Sequence, residues 1–234
     1  MSDGAEYLRA RPGEEPPYLH RDYGSTVKRA PTQTLLRVDH TLSEITGPSF
    51  ADGWAGPEQV DLTRQNKGAP IGERMIVAGR VLDEHGRAIA GTLVELWQAN
   101  SAGRYMHEAD QHDAPLDPNF TGAGHVVTNE NGEYRFITIV PGAYPWRNTP
   151  NAWRSQHLHF SVFGPAFATR VITQMYFPGD PLLDYDPIFH SISDEAARQR
   201  LVSRYDPELS VAEWALGYRF DMVLRGRAAT PTGI

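Results

Sequence analysis

Short apolar stretches separated by turn residues constrain the fold of this chain more than any other feature of its 234 residues. Two clear turn signals are Asp83-Glu84-His85-Gly86 and Asn129-Glu130-Asn131-Gly132, which are typical of reversals between strands. Several short strands at such spacing indicate stacked sheets, so we predict a mainly β protein with a two-sheet β-sandwich core and long loops. The predicted strands are 75–82, 92–98, 134–139, 157–162, 169–176 and 218–224.

The N-terminal part of the chain differs in composition from the rest. Residues 1–70 are rich in proline, glycine and charge, which favours an extended arm that wraps around a core or a partner. One short helix is predicted within this arm, at 41–45. A second short helix is predicted at 194–204, with Ser193 as its N-cap. We therefore predict an extended arm over 1–70 and a β-sandwich domain over 71–234.

The composition excludes several classes of site and partner. Without any cysteine, the chain cannot form disulfides, thiolate zinc sites or cysteine nucleophiles. A formal net charge of −7 argues against a surface for nucleic acids, whose phosphates need clustered positive charge. No apolar run approaches the roughly 18 residues of a membrane span, and the N-terminus lacks the apolar segment of a secretory signal. We expect a cytoplasmic protein that binds neither nucleic acid nor membranes.

A His-x-His pair, His157 and His159, lies inside the predicted strand 157–162. Side chains alternate between the two faces of a strand, so these imidazoles project from the same side, roughly 6.5 to 7 Å apart. That spacing suits two ligands of one metal ion. The alternative is an ordinary pair of core or interface histidines, and the pair alone does not decide between the two interpretations.

The residues upstream of this pair bear on which metal it could bind. Because cysteine is absent, an anionic ligand would have to be aspartate, glutamate or tyrosine. A carboxylate would indicate a ferrous facial triad or a zinc hydrolase, although no carboxylate has suitable spacing from the histidines. A phenolate is a hard, strongly donating anion and favours ferric iron. The upstream window contains Tyr144, Trp146, Arg147, Trp153 and Arg154.

Longer motifs carry a resemblance to a known family. The run PGAYPWRN at 141–148, followed by NAWRSQHLHF at 151–160, closely resembles the intradiol ring-cleaving dioxygenases. The resemblance covers most of the chain from about Tyr23 onward and is far more specific than the His-x-His pair. Further matching stretches follow the family's order: 70–74, 94–100, 103–105, 116–120, 218–221 and 224–226.

The resemblance implies a metal site and a reaction. A single non-haem Fe(III) per chain would be bound by four residues: Tyr105, Tyr144, His157 and His159. In this family the catechol chelates the iron as a dianion, and the axial tyrosine, here Tyr144, leaves the metal. Dioxygen then opens the ring between the two hydroxylated carbons, and both of its atoms enter the product.

The resemblance also assigns roles around the metal. Arg154 would be a fixed cation that stabilises negative charge during attack by oxygen, and Gln174 matches a catalytic position beside it. Trp146 and Ile188 would line the pocket for the aromatic ring. Tyr23 matches a residue that helps to bind the substrate's carboxylate.

Substrate and partner follow from the branch of the family that the motifs most resemble. That branch cleaves protocatechuate (3,4-dihydroxybenzoate) to 3-carboxy-cis,cis-muconate in the β-ketoadipate pathway, within a large hetero-oligomer that contains a homologous α subunit. In that branch, part of the pocket for the substrate's carboxylate belongs to the α subunit, so this chain alone does not define the substrate. The alternative is the same reaction on another catechol: catechol itself, hydroxyquinol or a sulfonated catechol. The chain departs from the family at Ser155-Gln156, where Pro-Ala is frequent.

A non-catalytic function is the alternative from another class. The run from Val77 to Tyr144 also resembles transthyretin-like accessory domains, which are β-sandwich binding modules. Such modules would lack the two tyrosines and the His-x-His pair together.

Overall fold

A computed structural model describes residues 11–36, 59–148, 150, 152–164 and 170–232. Most of its regular structure is β, and no helix in these ranges is long and apolar enough to cross a membrane. The short helices are α1 (Ser25–Arg29) and α2 (Glu195–Gln199), with 3-10 turns at Leu62–Arg64, Leu183–Tyr185 and Phe189–Ser191. The strands are β1 (Arg74–Leu82), β2 (Leu93–Trp97), β3 (Ala123–Val127), β4 (Glu133–Ile139), β5 (Tyr144–Trp146), β6 (Ala152–Arg154), β7 (His157–Phe163), β8 (Val171–Tyr176), β9 (Arg204–Tyr205), β10 (Leu216–Arg219) and β11 (Met222–Val223).

The first sheet is built around β1. Strand β4 pairs with it antiparallel on one side, while β10 and then β11 pair with it parallel on the other side. Strand β9 adds to the outside of β10. With neighbours on both edges, β1 is an almost continuously buried strand, as its run of apolar residues indicates.

The second sheet has the order β3-β2-β7-β8, and each of its pairs is antiparallel. Its register places Trp97, His159 and Gln174 in one row across three neighbouring strands. The next row pairs His157 with Tyr176. Because these residues share one face, that face carries the polar and aromatic groups from which a site can be built.

The opposite face of the second sheet packs on the first sheet. Phe160 of β7 contacts Phe136 of β4 and Phe220, with ring centroids 6.5 and 5.7 Å apart. The residues of the two sheets form one continuous buried cluster, and Val94, Leu96, Leu158 and Met175 belong to it. The predicted two-sheet β-sandwich is therefore confirmed.

Helix α2 is shorter than the predicted 194–204, and the prediction of Ser193 as its N-cap was wrong. The side chain of Asp194 accepts a hydrogen bond from the Ala197 amide at 2.7 Å and is the actual cap. The helix ends early because residues 201–203 bond to Tyr176 instead: the Tyr176 amide donates to the Leu201 carbonyl, and the Ser203 amide donates to the Tyr176 carbonyl.

One strand prediction needs correction, and one strand was not predicted. The predicted strand 218–224 is divided into β10 and β11, because the Phe220 carbonyl bonds the Tyr134 hydroxyl and the Asp221 side chain takes the Arg80 amide. Strand β3 lies in a segment that has little strand character in sequence. Gly124 is needed within β3, because the segment at Gln59 passes close to this strand. A Cβ at position 124 would lie 2.3 Å from the Gln59 carbonyl oxygen.

Some predictions for the arm and the loops concern residues that the structure does not describe. The predicted helix at 41–45 and the start of the predicted strand at Thr169 lie outside them. Helix α1, at Ser25–Arg29, falls within the arm at a position where extended chain is expected. The division into an arm over 1–70 and a domain over 71–234 stays a prediction.

Candidate metal centre

Two phenol oxygens and two imidazole nitrogens converge beside strand β7. The Tyr105 hydroxyl lies 3.0 Å from His159 Nε2, and the Tyr144 hydroxyl lies 3.2 Å from His157 Nε2. The ring centroids of the two histidines are 4.9 Å apart, and those of the two tyrosines are 5.6 Å apart. The structure thus brings together the four side chains that the sequence resemblance assigns to the metal.

Different elements deliver these four side chains. The histidines come from one face of β7, and Tyr144 begins β5. Tyr105 lies in the loop after β2, where its amide donates to Asp110 Oδ2 at 2.8 Å. Gly103 permits this approach: its φ is +77°, and a Cβ there would lie 2.3 Å from the Ala143 carbonyl oxygen. The loop therefore packs directly against the residue that precedes Tyr144.

The hydrogen bonds of His157 define its tautomer. Nδ1 lies 2.6 Å from the Ser155 carbonyl oxygen, which can only accept, so the proton is on Nδ1. The lone pair is consequently on Nε2, the atom that faces Tyr144. This arrangement, in which a backbone carbonyl orients the ring, is common among metal-binding histidines. His159 is held differently, by stacking on Trp97 with centroids 4.8 Å apart and planes at 6°.

Burial sets the charge state of the four donors. Desolvation lowers the pKa of His157 and of His159 well below the usual value, and the Arg154 cation lowers both further. Desolvation raises the pKa of Tyr105 and of Tyr144 above that of an exposed phenol. Neutral imidazoles can bind a metal without losing a proton, whereas these phenols ionise only if a strong local cation compensates.

This donor set fits a hard cation of high charge. Two nitrogens and two oxygens that become phenolates would provide charge to balance ferric iron. Across the part of the chain that the structure describes, no group of three or more histidines and carboxylates is arranged to bind a metal. Within these described residues, the partners of the two histidines are phenols, and no carboxylate joins them as in a ferrous triad or a zinc hydrolase.

A buried cation lies next to the four donors. Arg154 pairs in register with Tyr144 across the β5–β6 hairpin. Its Nε donates to Asp186 Oδ2 at 2.9 Å, and its Nη2 donates to Gln174 Oε1 and to the Tyr176 hydroxyl. Desolvation, the largest influence, disfavours the charge of Arg154, but Asp186 together with Tyr176 and Tyr144 raises the guanidinium pKa above its usual value.

A cavity of about 630 Å³ opens onto this centre, a size that suits a small aromatic molecule. Tyr23 is buried against one wall, with its ring 4.7 Å from that of Trp146. Ile188 is buried in the turn after Asp186 and lies outside the described lining. The lining consists of Trp97, Tyr105, His107, Ala109, Asp110, Gln111, His112, Tyr144, Pro145, Trp146 and Arg147.

Sequence reasoning missed two residues of this centre. Trp97 stacks on His159, and the alternation of the predicted strand 92–98 could have placed it on the outer face beside Glu95. Asp186 is fully buried and is the counter-ion of Arg154. Nothing in its sequence context indicates this, because the contact joins positions that are 32 residues apart.

Comparison with known proteins identifies the family of this chain. Residues 45–226 match the family model described as dioxygenase, and residues 7–41 match the model described as protocatechuate 3,4-dioxygenase beta subunit N terminal. The chain belongs to the intradiol ring-cleavage dioxygenase family.

Individual relatives place it more closely within the family. It is 56% identical to the protocatechuate 3,4-dioxygenase beta chain of Burkholderia cepacia over 218 residues, and this aligned region covers 92% of each chain. It is 30% identical to a catechol 1,2-dioxygenase of Candida albicans, over 82% of this chain and 66% of that relative. The crystal structure of 3-chlorocatechol 1,2-dioxygenase from Rhodococcus opacus matches with a TM-score of 0.55 and 25% identity, over 76% of this chain and 70% of that one.

Proposed function

We propose that this chain is the iron-bearing β subunit of a protocatechuate 3,4-dioxygenase. It would cleave protocatechuate with O2 to 3-carboxy-cis,cis-muconate, with both oxygen atoms entering the product. The observation that carries this proposal is the convergence of two phenols and two neutral imidazoles at the base of an aromatic cavity. The 56% identity to a beta chain of that activity supports the choice of substrate.

Tyr105, Tyr144, His157 and His159 would bind one Fe(III) per chain. When bound, ferric iron would supply a Lewis acid that favours the catecholate dianion and makes the ring reactive towards O2. The neutral state of the two histidines supports this assignment, because a neutral imidazole has a lone pair for the metal, which in His157 is on Nε2. The residues that orient the rings, Ser155 and Trp97, would preserve the geometry through the reaction.

Tyr144 is the better placed of the two tyrosines to move a proton. Both tyrosines line the cavity, but Tyr144 lies on the short hairpin strand β5, whereas the Tyr105 backbone is fixed by the bond from its amide to Asp110. As a catechol enters, the Tyr144 phenolate oxygen can accept one of its hydroxyl protons. Tyr144 would then be a neutral phenol while the substrate oxygen becomes the anion, so the total charge of the centre is conserved.

Arg154 would stabilise negative charge that develops on the substrate and on oxygen. Its bonds to Asp186 and Gln174 hold the guanidinium in one orientation, so no reorganisation is needed during the reaction. Gln174 would act by orienting Arg154. The guanidinium carbon also lies 5.7 Å from the centroid of Trp146, on the wall of the cavity.

The cavity suits an anionic aromatic acid. Trp97 and Trp146 provide flat apolar walls for the ring, and Arg147 adds a cation that can pair with a carboxylate. Tyr23, which packs on Trp146, is close enough to this wall to contribute to the carboxylate pocket as the resemblance implies. Ile188 lies in the turn that follows Asp186, outside the cavity lining, and would contact the substrate ring from that turn.

The partner is proposed to be a homologous α subunit in a large hetero-oligomer, in the cytoplasm. The support is the beta-chain relative, together with an N-terminal segment matching a model specific to that subunit. This partner would complete the carboxylate pocket.

A substrate panel tests the proposal. The α/β complex is assayed with protocatechuate, catechol, hydroxyquinol and 4-sulfocatechol, and the products are identified by mass after reaction with ¹⁸O2. We expect protocatechuate to be preferred and both labelled atoms to enter its product. Comparable kcat/KM on catechol would contradict the carboxylate specificity, and incorporation of a single labelled atom would contradict the reaction.

A matched pair of variants sharpens this test. Arg147→Gln should raise KM for protocatechuate more than KM for catechol, because it removes a cation at the cavity. Arg135→Gln, at an exposed position on β4, should leave both unchanged.

A further inference from the structure

The carboxylate of Asp186 is the most heavily bonded buried group beside the candidate metal centre. It is fully buried, and five donors converge on it. Oδ2 accepts from Arg154 Nε at 2.9 Å and from the Ser155 amide and hydroxyl, each at 3.0 Å. Oδ1 accepts from the amides of Ile188 and Phe189 at 2.9 and 3.1 Å.

Each set of donors leads to a different part of the site. The bond to Arg154 orients the guanidinium that lies beside Tyr144. The two bonds from Ser155 fix the residue whose carbonyl accepts the His157 Nδ1 proton at 2.6 Å. The bonds from the turn amides fix the backbone that presents Ile188.

We propose that Asp186 is a positioning residue that couples the orientation of Arg154 to that of His157 through Ser155. This inference rests on the proposed function, because it concerns how the centre is held. A carboxylate that satisfies all its lone pairs with fixed donors has one arrangement, so its neighbours are held in a single arrangement as well. Groups that hydrogen-bond a metal ligand commonly change metal affinity or activity about 10- to 100-fold when removed, and Asp186 holds one such group, the Ser155 carbonyl beside His157.

Ser155 supplies two of the five bonds to Asp186. A proline at this position would have neither the amide proton nor the hydroxyl that bond Asp186, although its carbonyl could still accept from His157. The substitution Ser155→Pro would therefore cut the link to Asp186 and leave the link to His157. Ser155→Ala removes the hydroxyl bond alone.

The test compares Asp186→Asn with Asp206→Asn in the iron-loaded α/β complex. Asp206 is a matched control, because its Oδ2 also accepts from an arginine Nε, that of Arg219 at 2.6 Å, in a pair at the end of β9 and β10 in the first sheet. We expect Asp186→Asn to lower kcat for protocatechuate by about 10- to 100-fold with a smaller change in KM, to shift the visible absorption band and to lower iron retention on dialysis. Asp206→Asn should change none of these.

The Ser155 variants decide the question even if Asp186→Asn does not fold. We expect a graded loss of kcat and a graded shift of the visible band, with Ser155→Pro larger than Ser155→Ala. Wild-type values of kcat, band position and iron retention in both Ser155 variants would overturn the coupling. If instead the wild-type complex has no iron and no turnover, the proposed function itself has failed, which is a distinct result.

Discussion

The two faces of strand β7 differ in what they contribute to the molecule. Leu158, Phe160 and Val162 point into the sandwich and are fully buried among apolar groups. His157 and His159 alternate with them and point to the outer face, where they meet tyrosines and stack on Trp97. One strand thus contributes stability through one set of residues and the candidate chemistry through the other.

The outer face is also largely removed from water, which makes the comparison informative. His157 is only 2% exposed, and its ring lies against those of Tyr144 and Tyr176, with centroids 5.5 and 5.9 Å away. Burying the core face of β7 carries no desolvation cost for polar side chains, since its side chains are apolar. Burying the outer face is favourable only while each polar group keeps its hydrogen-bond partner. Substitutions on the two faces should therefore have separable effects.

The largest effect is expected from His157→Ala. This variant removes one metal donor and the ring that the Ser155 carbonyl orients, so we expect loss of the iron and a fall of turnover to background. Because the core face is untouched, the far-ultraviolet circular dichroism should remain that of the wild type. Iron per chain, measured by elemental analysis beside the spectrum, checks this. Full iron content and activity would show that the outer face is not the metal site.

A substitution on the core face should do the reverse. Phe160→Ala removes a ring that packs on Tyr134, Phe136 and Phe220, and we expect a loss of about 3 to 5 kcal/mol in the free energy of unfolding. Folded protein should still bind iron. Urea denaturation gives the free energy, and Ile172→Ala, at a partly exposed position on β8, should cost much less. Equal losses in the two variants would refute the asymmetry.

Tyr144→Phe should separate binding from turnover. Three donors remain, so we expect the iron to be retained, while the loss of a proton acceptor lowers kcat by about 10²-fold. The matched control is Tyr134→Phe, which removes a buried hydroxyl on the core side that bonds the Phe220 carbonyl. That control should cost about 1 kcal/mol in unfolding free energy and leave kcat unchanged. The assignment of Tyr144 would be wrong if its variant turned over at the wild-type rate.

The smallest effect on stability is expected from a substitution at the contact between the arm and the β5–β6 hairpin. Asn148 Oδ1 accepts from the Ser25 amide at 2.7 Å and so caps α1, whose own N-cap residue, Gly24, provides no side-chain bond. Asn148→Ala should cost about 1 kcal/mol and increase hydrogen exchange in α1. Asn131→Ala, in the exposed turn before β4, is the control. Unchanged exchange in α1 would show that the hairpin does not hold the arm.

The sequence allowed prediction of those features that depend on alternation and on ordered motifs. The sandwich and the common direction of His157 and His159 follow from a period of two. Tyr105 was reached by the family resemblance alone, since it lies 52 positions before His157 on a separate loop. Asp186 and the early end of α2 could not be predicted, because both depend on contacts between residues distant in sequence, namely Asp186 with Arg154 and Leu201 with Tyr176.

The central claim is that the outer face of β7 binds ferric iron through two histidines and two tyrosines. Its most direct test is the iron content and visible absorption spectrum of the purified complex. We predict one iron per copy of this chain and a burgundy-red colour from tyrosinate-to-Fe(III) charge transfer, both of which disappear in His157→Ala. A colourless, iron-free wild-type complex, or an iron-loaded one without this band, would contradict the account.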